Sequence, residues 1–123
     1  MRSSVLFLSA VLLIGGAASP GRAATTKPTA LPVLNVTATS EQKFSPDHLV
    51  LHVGKRQTLR FTSSGGVHGV ASTDLGIPAT TIAPGQPVSV VVVPKKAGTY
   101  KINCTIVCGP GHADMLLTIV VKP

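Results

Sequence analysis

Short runs of β-branched or alternating residues, each closed by Gly, Pro, Asp or Ser, recur along most of this chain and commit it to strands. VLNVTAT (33–39), HLVLHV (48–53), QTLRFTS (57–63), PVSVVVV (87–93), TYKIN (99–103) and MLLTIVV (115–121) are the runs. Leu49, Leu51 and Val53 share one face of an extended strand, as do Leu59 and Phe61, and Tyr100 and Ile102. Met115, Leu117, Ile119 and Val121 alternate with Leu116, Thr118 and Val120. Outside the N-terminal stretch no window of a dozen residues carries a helical stripe, and no segment repeats another. With 12 Gly and 10 Pro among 123 residues and only 12% charged, the chain is neither a disordered polyelectrolyte nor a helical bundle. The length allows one core, so the runs predict a single all-β domain: a two-sheet Greek-key β-sandwich whose working residues sit on loops at one end.

The first 32 residues follow a different pattern. Arg2, an apolar run over 5–14 and small residues over 15–18 have the three-part layout of a secretory signal, predicted over residues 1–23 with cleavage after Ala23; cleavage after Ala18 is the alternative. The run falls short of the ~20 apolar residues of a spanning helix, so the mature chain is expected to have no membrane span, an uncleaved tether being the alternative. TTKPTALP (25–32) has no apolar periodicity and predicts a flexible arm over 24–32, leaving 33–123 as the domain. The expected location is secreted or periplasmic. From residue 24 onward nine Lys and Arg stand against four Asp and Glu, without a block of like charge. Aromatics are 3% with no Trp, too few for a stacking platform, so no nucleic-acid partner is expected and the charge favours an acidic partner surface or plain solubility.

Chemistry concentrates between the last two predicted strands. Cys104, Cys108, His112 and Met115 fall within twelve residues, and His68 lies in an earlier loop that a sandwich could bring beside them. Soft sulfur with imidazole suits copper, and a Cys, His and weak Met set is the donor set of copper that moves electrons. Cys108, His112, Met115 and His68 suffice for a mononuclear blue site. Cys104 is surplus to it: two thiolates four residues apart can bridge two copper ions, with one imidazole on each and a thioether and a carbonyl completing the set.

Cys104-x3-Cys108-x3-His112-x2-Met115 with an upstream His68-Gly69 resembles the dinuclear CuA domain of cytochrome c oxidase subunit II, found also in nitrous oxide reductase, on a cupredoxin fold. Phe44-Ser-Pro-Asp47, Asp74-Leu-Gly-Ile77, Ala83-Pro-Gly85 and Ala97-Gly-Thr-Tyr100 follow that family's order and approximate spacing, so the resemblance spans about residues 44–121. It implies a cupredoxin-like Greek-key sandwich, two copper ions, side-chain ligands His68, Cys104, Cys108, His112 and Met115, and a backbone carbonyl from Ile106. Oxidase subunits usually carry Glu at the position of Ile106, and their membrane helices and Trp-bearing entry patch are not found here, which argues against an oxidase subunit. Four His cannot supply the catalytic cluster of nitrous oxide reductase. Gly65 stands where many relatives place an acid three residues before the first histidine, which leaves open what holds the His68 ring.

Plainer readings accompany each residue. Two Cys in a secreted chain commonly form a disulfide, and Cys104 with Cys108 could staple the loop. Met115 opens an apolar run and fits a core; His48 and His52 have no sulfur neighbours and read as surface residues, and Lys95 and Lys96 as turn residues guarding an edge. The expected function is a one-electron carrier, not an enzyme, in which His112 is the electron port and the partner is another redox protein, such as a c-type cytochrome or terminal reductase, docking transiently. The alternatives are a Cu(I) carrier or metallochaperone, or a mononuclear blue copper protein.

Overall fold

The structure is a computed structural model that describes residues 15–17, 21 and 31–123. The signal peptide expected over 1–23 and the arm expected over 24–32 lie outside the described residues, apart from 15–17, 21, 31 and 32. The described chain forms β1 (Leu34–Ala38), β2 (Phe44–Ser45), β3 (His48–His52), β4 (Gln57–Ser63), β5 (His68–Ser72), β6 (Ile77–Ile82), β7 (Val88–Val92), β8 (Gly98–Asn103) and β9 (Leu116–Lys122). A single turn of 3-10 helix, His112–Asp114, is the only helical element among the described residues. No helix among them is long and apolar enough to cross a membrane.

One sheet has the order β2-β1-β4-β7, the other β3-β9-β8, and β5 and β6 form a hairpin whose strands pack beside β8 and β7. β1 runs parallel to β4, and β3 parallel to β9, so neither pair is joined by a tight hairpin. The chain instead passes from β3 in one sheet to β4 in the other, and from β7 back to β8, which is the Greek-key sandwich the runs predict. The alternation places Val36, Leu59, Phe61, Val90 and Val92 of the first sheet against Leu49, Leu51, Ile102, Leu117, Ile119 and Val121 of the second, all buried.

All six predicted strands form, with no end moved by more than one residue and 57–63 unchanged. β2, β5 and β6 have no such signal in the sequence. β2 has two residues, and β6 exposes Pro78 and Ala79. β5 buries three consecutive residues, His68, Gly69 and Val70, which erases the period-2 pattern. His68 therefore opens a strand, opposite Ile82, where the sequence suggests a loop. Because burial rather than propensity anchors the sandwich, Phe61→Ala should cost about 3–5 kcal/mol, whereas the exposed change Val91→Ala should stay within ~0.5 kcal/mol. Denaturant midpoints of the two variants check this.

Candidate metal centre

The loop between β8 and β9 is closed by the ladder that flanks it. Asn103 pairs with Leu116, and one step further the Cys104 N–H donates to the Met115 carbonyl at 3.1 Å. The chain must therefore leave and return between those two residues. Gly109-Pro110-Gly111 starts the return, and the 3-10 turn completes it, with His112 N–H donating to Gly109 O (3.1 Å), Asp114 N–H to Gly111 O (3.1 Å) and Met115 N–H to His112 O (3.2 Å). Cys104 and Met115 face inward and are buried, while Cys108 and His112 are half-buried above them.

Cys108 is the hub of the group. Its Sγ lies 3.8 Å from Cys104 Sγ, 3.8 Å from His112 Nδ1 and 3.8 Å from Met115 Sδ. The two sulfurs are free thiols rather than a disulfide. Cys104 Sγ donates to the Ile106 carbonyl at 3.1 Å, so that carbonyl points to the sulfurs while the Ile106 side chain does not supply a donor. Burial first, and then the neighbouring Cys104 thiol, push the Cys108 thiol above its ordinary range.

His68 arrives from β5. A ring nitrogen of His68 and the two Sγ atoms all lie within 4.8 Å of one another. The Nε2 atom is 2.8 Å from the Gly65 carbonyl, which can only accept, so Nε2 carries the proton and the question left open at Gly65 is answered by its backbone. The Nδ1 atom is buried and has no hydrogen-bond partner. Such an orphaned acceptor costs about 1–3 kcal/mol in an apolar site. With a nitrogen of the same ring within 4.8 Å of both thiols, it fits a site for a soft cation. Gly69 makes the approach possible: the Thr105 N–H donates to its carbonyl at 3.0 Å, and a methyl group on Gly69 would run into Thr105 Oγ1 and stand 3.0 Å from Ile106 Cγ1.

All six expected residues, His68, Cys104, Ile106, Cys108, His112 and Met115, thus meet at one end of the sandwich. His48 stays outside it, exposed and paired to Asp47 at 3.0 Å, a contact that holds the Asp47 carboxyl below its usual range and adds little stability. One participant leaves no signal in the sequence. Gln42, in the turn between β1 and β2, accepts the Gly111 N–H on its Oε1 at 3.1 Å, across 69 residues of chain.

A β-sandwich that gathers thiol, thioether and imidazole donors in the loop before its last strand belongs to the soft-metal-binding class of such domains. The chain belongs to the cupredoxin-like family, whose domain model matches residues 5–115. Cytochrome c oxidase subunit 2 of Thermus thermophilus is 32% identical over 81 residues, covering 64% of this chain and 58% of the relative. A cytochrome c oxidase subunit 2 from one particular strain of Thermus thermophilus is also 32% identical over 81 residues, covering 64% of this chain and 46% of the relative. The chain thus spans about half the length of the curated relatives it matches. The periplasmic domain of subunit II of cytochrome oxidase (CoxB) of Bradyrhizobium japonicum superposes with a TM-score of 0.67 at 19% identity, covering 77% of this chain and 86% of that one. Auracyanin A, a blue copper protein of Chloroflexus aurantiacus, superposes with a TM-score of 0.55 at 19% identity, covering 74% and 98%. The subunit II resemblance carried by the loop motif and these likenesses agree, and the cupredoxin-like Greek-key sandwich stands.

The Gly65 contact makes a direct prediction for the reduced, metal-free chain near neutral pH. His68 should hold the Nε2–H tautomer, with an unprotonated Nδ1 and slow exchange of the Nε2 proton. Nitrogen-15 shifts of the ring read this, and an Nδ1–H tautomer would contradict the geometry.

Proposed function

We propose that the chain is a secreted or periplasmic one-electron carrier whose dinuclear copper centre is held by His68, Cys104, Cys108, His112, Met115 and the Ile106 carbonyl. The observation that carries the reading is the orphaned, buried Nδ1 on the His68 ring, a ring with a nitrogen within 4.8 Å of two free thiols that are themselves in contact. When bound, copper supplies the one-electron couple. The protein's part is to present donors and hold them still. Cys104 and Cys108 give up their protons to become ligands. Gly65 fixes the His68 ring, and Met115, immobile in the core, offers its thioether without a rotamer search. His112, half-buried on the loop, is the port through which the electron leaves or enters. Val107, the chain neighbour of Cys108, is 81% exposed, and Val67, the chain neighbour of His68, 45%, apolar surface suited to brief contact with a redox partner such as a c-type cytochrome or terminal reductase.

A second reading, a mononuclear blue site, is favoured by one observation: Cys108 alone touches both His112 and Met115. Stoichiometry separates the two. Wild-type protein should bind two coppers with hyperfine structure shared over both nuclei, and Cys104→Ser should keep at most one. A single copper in the wild-type chain supports the blue site instead. Colourless protein with one exchangeable Cu(I) would mark a carrier of the metal itself.

Within the dinuclear reading, Ile106→Ala should preserve the two-copper spectrum because only a carbonyl is used there. Met115→Leu should shift the reduction potential although the volume is nearly conserved, a change that costs a core less than ~1.5 kcal/mol. Redox titration of both variants checks the contrast. The protonated state of the thiols gives a further expectation. Burial holds the Cys108 proton on, so copper uptake should release protons and weaken as pH falls, and it should stop once a Cys104–Cys108 disulfide has been formed by oxidation. Uptake measured across pH, and before and after a thiol reductant, reads both effects.

A further inference from the structure

We propose that the turn between β1 and β2 is the common anchor of both donor loops, and that Gln42 within it is the positioning residue that sets where Cys108 and His112 stand. The inference rests on the copper reading for what the loops hold, but the anchor is a property of the metal-free chain.

The turn is tightly closed, with Thr39 N–H donating to Lys43 O at 2.8 Å and Gln42 N–H to Thr39 O at 3.1 Å. Gln42 sits at φ 54, the left-handed region that residues with a Cβ enter at a cost. A glycine there would ease the bend but would carry no side chain, and here the side chain uses both ends of its amide. Its Nε2 donates to Ser40 O at 2.9 Å, and its Oε1 accepts from Gly111 N–H at 3.1 Å. The amide cannot be turned around, since the Ser40 carbonyl only accepts and the Gly111 N–H only donates. Gly111 immediately precedes His112 and is the cap of the 3-10 turn, so Gln42 fixes the point from which the chain swings back to Met115. The packing leaves no slack: a methyl group on Gly111 would lie 2.9 Å from Gln42 Oε1, and one on Gly109 would lie 3.0 Å from Nε2.

The same turn reaches the other loop through Ser40. Ser64 N–H donates to the carbonyl of Ala38, the last residue of β1 before the turn, at 3.0 Å, and within the turn itself Ser40 packs so closely that a methyl group on Gly65 would lie 2.9 Å from its Cβ. Gly65 is the residue whose carbonyl holds His68 Nε2. Two loops far apart in sequence, one leading to His68 and the other carrying Cys108 and His112, are therefore referenced to one five-residue turn, Thr39 to Lys43. A carrier needs that arrangement, because donors that shift between redox states slow the transfer.

The test compares Gln42→Gly with Gln42→Glu. Glycine suits the positive φ, so its loss of the side chain does not strain the backbone. Glutamate keeps an acceptor for Gly111 N–H but cannot donate to Ser40. In the reduced, metal-free protein, hydrogen exchange at the Gly111 amide should quicken about tenfold in Gln42→Gly and stay near wild type in Gln42→Glu. In the copper-loaded protein, Gln42→Gly should keep its metal count but change the copper spectrum and shift the potential, and Gln42→Glu should restore both. Unchanged exchange at Gly111 in Gln42→Gly overturns the anchor. Faster exchange with an unaltered spectrum and potential overturns the positioning role. A wild-type chain that takes up no copper sinks the copper reading instead, and the exchange comparison still decides the anchor.

Discussion

The site depends on one piece of backbone pairing. The β8–β9 ladder carries on past its last strand residues to the bond between Cys104 N–H and Met115 O, so the first and last donors of the loop lie on facing backbones before any metal is considered. The residues between them must then leave and return through one end of the sandwich, and the Gly-Pro-Gly turn with its 3-10 continuation is the route taken. Without that pairing, Met115 would have no reason to lie beneath Cys108, and the loop would be free to open.

The second constraint is an imbalance the pairing creates. It holds two thiols, one of them with a proton that burial retains, within 4.8 Å of a nitrogen of the His68 ring, whose buried Nδ1 has no partner. An apolar residue at position 68 would remove the unsatisfied atom, so the fold carries a polar group that packing alone does not require. Stability is supplied elsewhere, by Phe61, Leu59, Leu117 and Ile119 between the sheets, and those residues also fix the strands from which the donors project. Rigidity of the core and readiness of the site are thus separate properties of the same sandwich.

How much of this is legible in the sequence follows from the range of each interaction. Strands with one buried face, such as Leu49 and Leu51 or Met115, Leu117, Ile119 and Val121, announce themselves by period. The candidate donor set announces itself by residue type, because so few residues can ligate a soft metal. β5 does not, since its consecutive buried residues break the alternation, and the two-residue β2 is too short for a pattern. The support of His68 is hidden for a different reason: the group that provides it is a backbone carbonyl, which every residue possesses, so the glycine at position 65 reads as a missing acid. Gln42 is hidden by distance along the chain, since nothing local in SEQKF marks its amide for a glycine 69 residues away.

Net charge shows the same limitation. The basic excess suggests an acidic partner, but the fold distributes it unevenly. Asp47 and Asp114 line one cleft at the end that carries the loop, with Lys43 beside them, and Glu41 belongs to the adjoining turn. Lys55, Arg56, Lys95, Lys96 and Lys122 gather at the other end, where Gly54 N–H donates to Pro94 O at 2.8 Å and Val53 N–H to Lys122 O at 2.9 Å, and Asp74 is the one acid beside them, lining clefts with Lys95 and Lys96. On the proposed carrier reading, a partner that approached His112 would meet the exposed Val107 and a cleft holding Asp47, Asp114 and Lys43, so the steering field would be local rather than that of the whole chain. The sum of charges thus bears on solubility, and on the proposed reading it is their placement that would decide which surface a redox partner must bring.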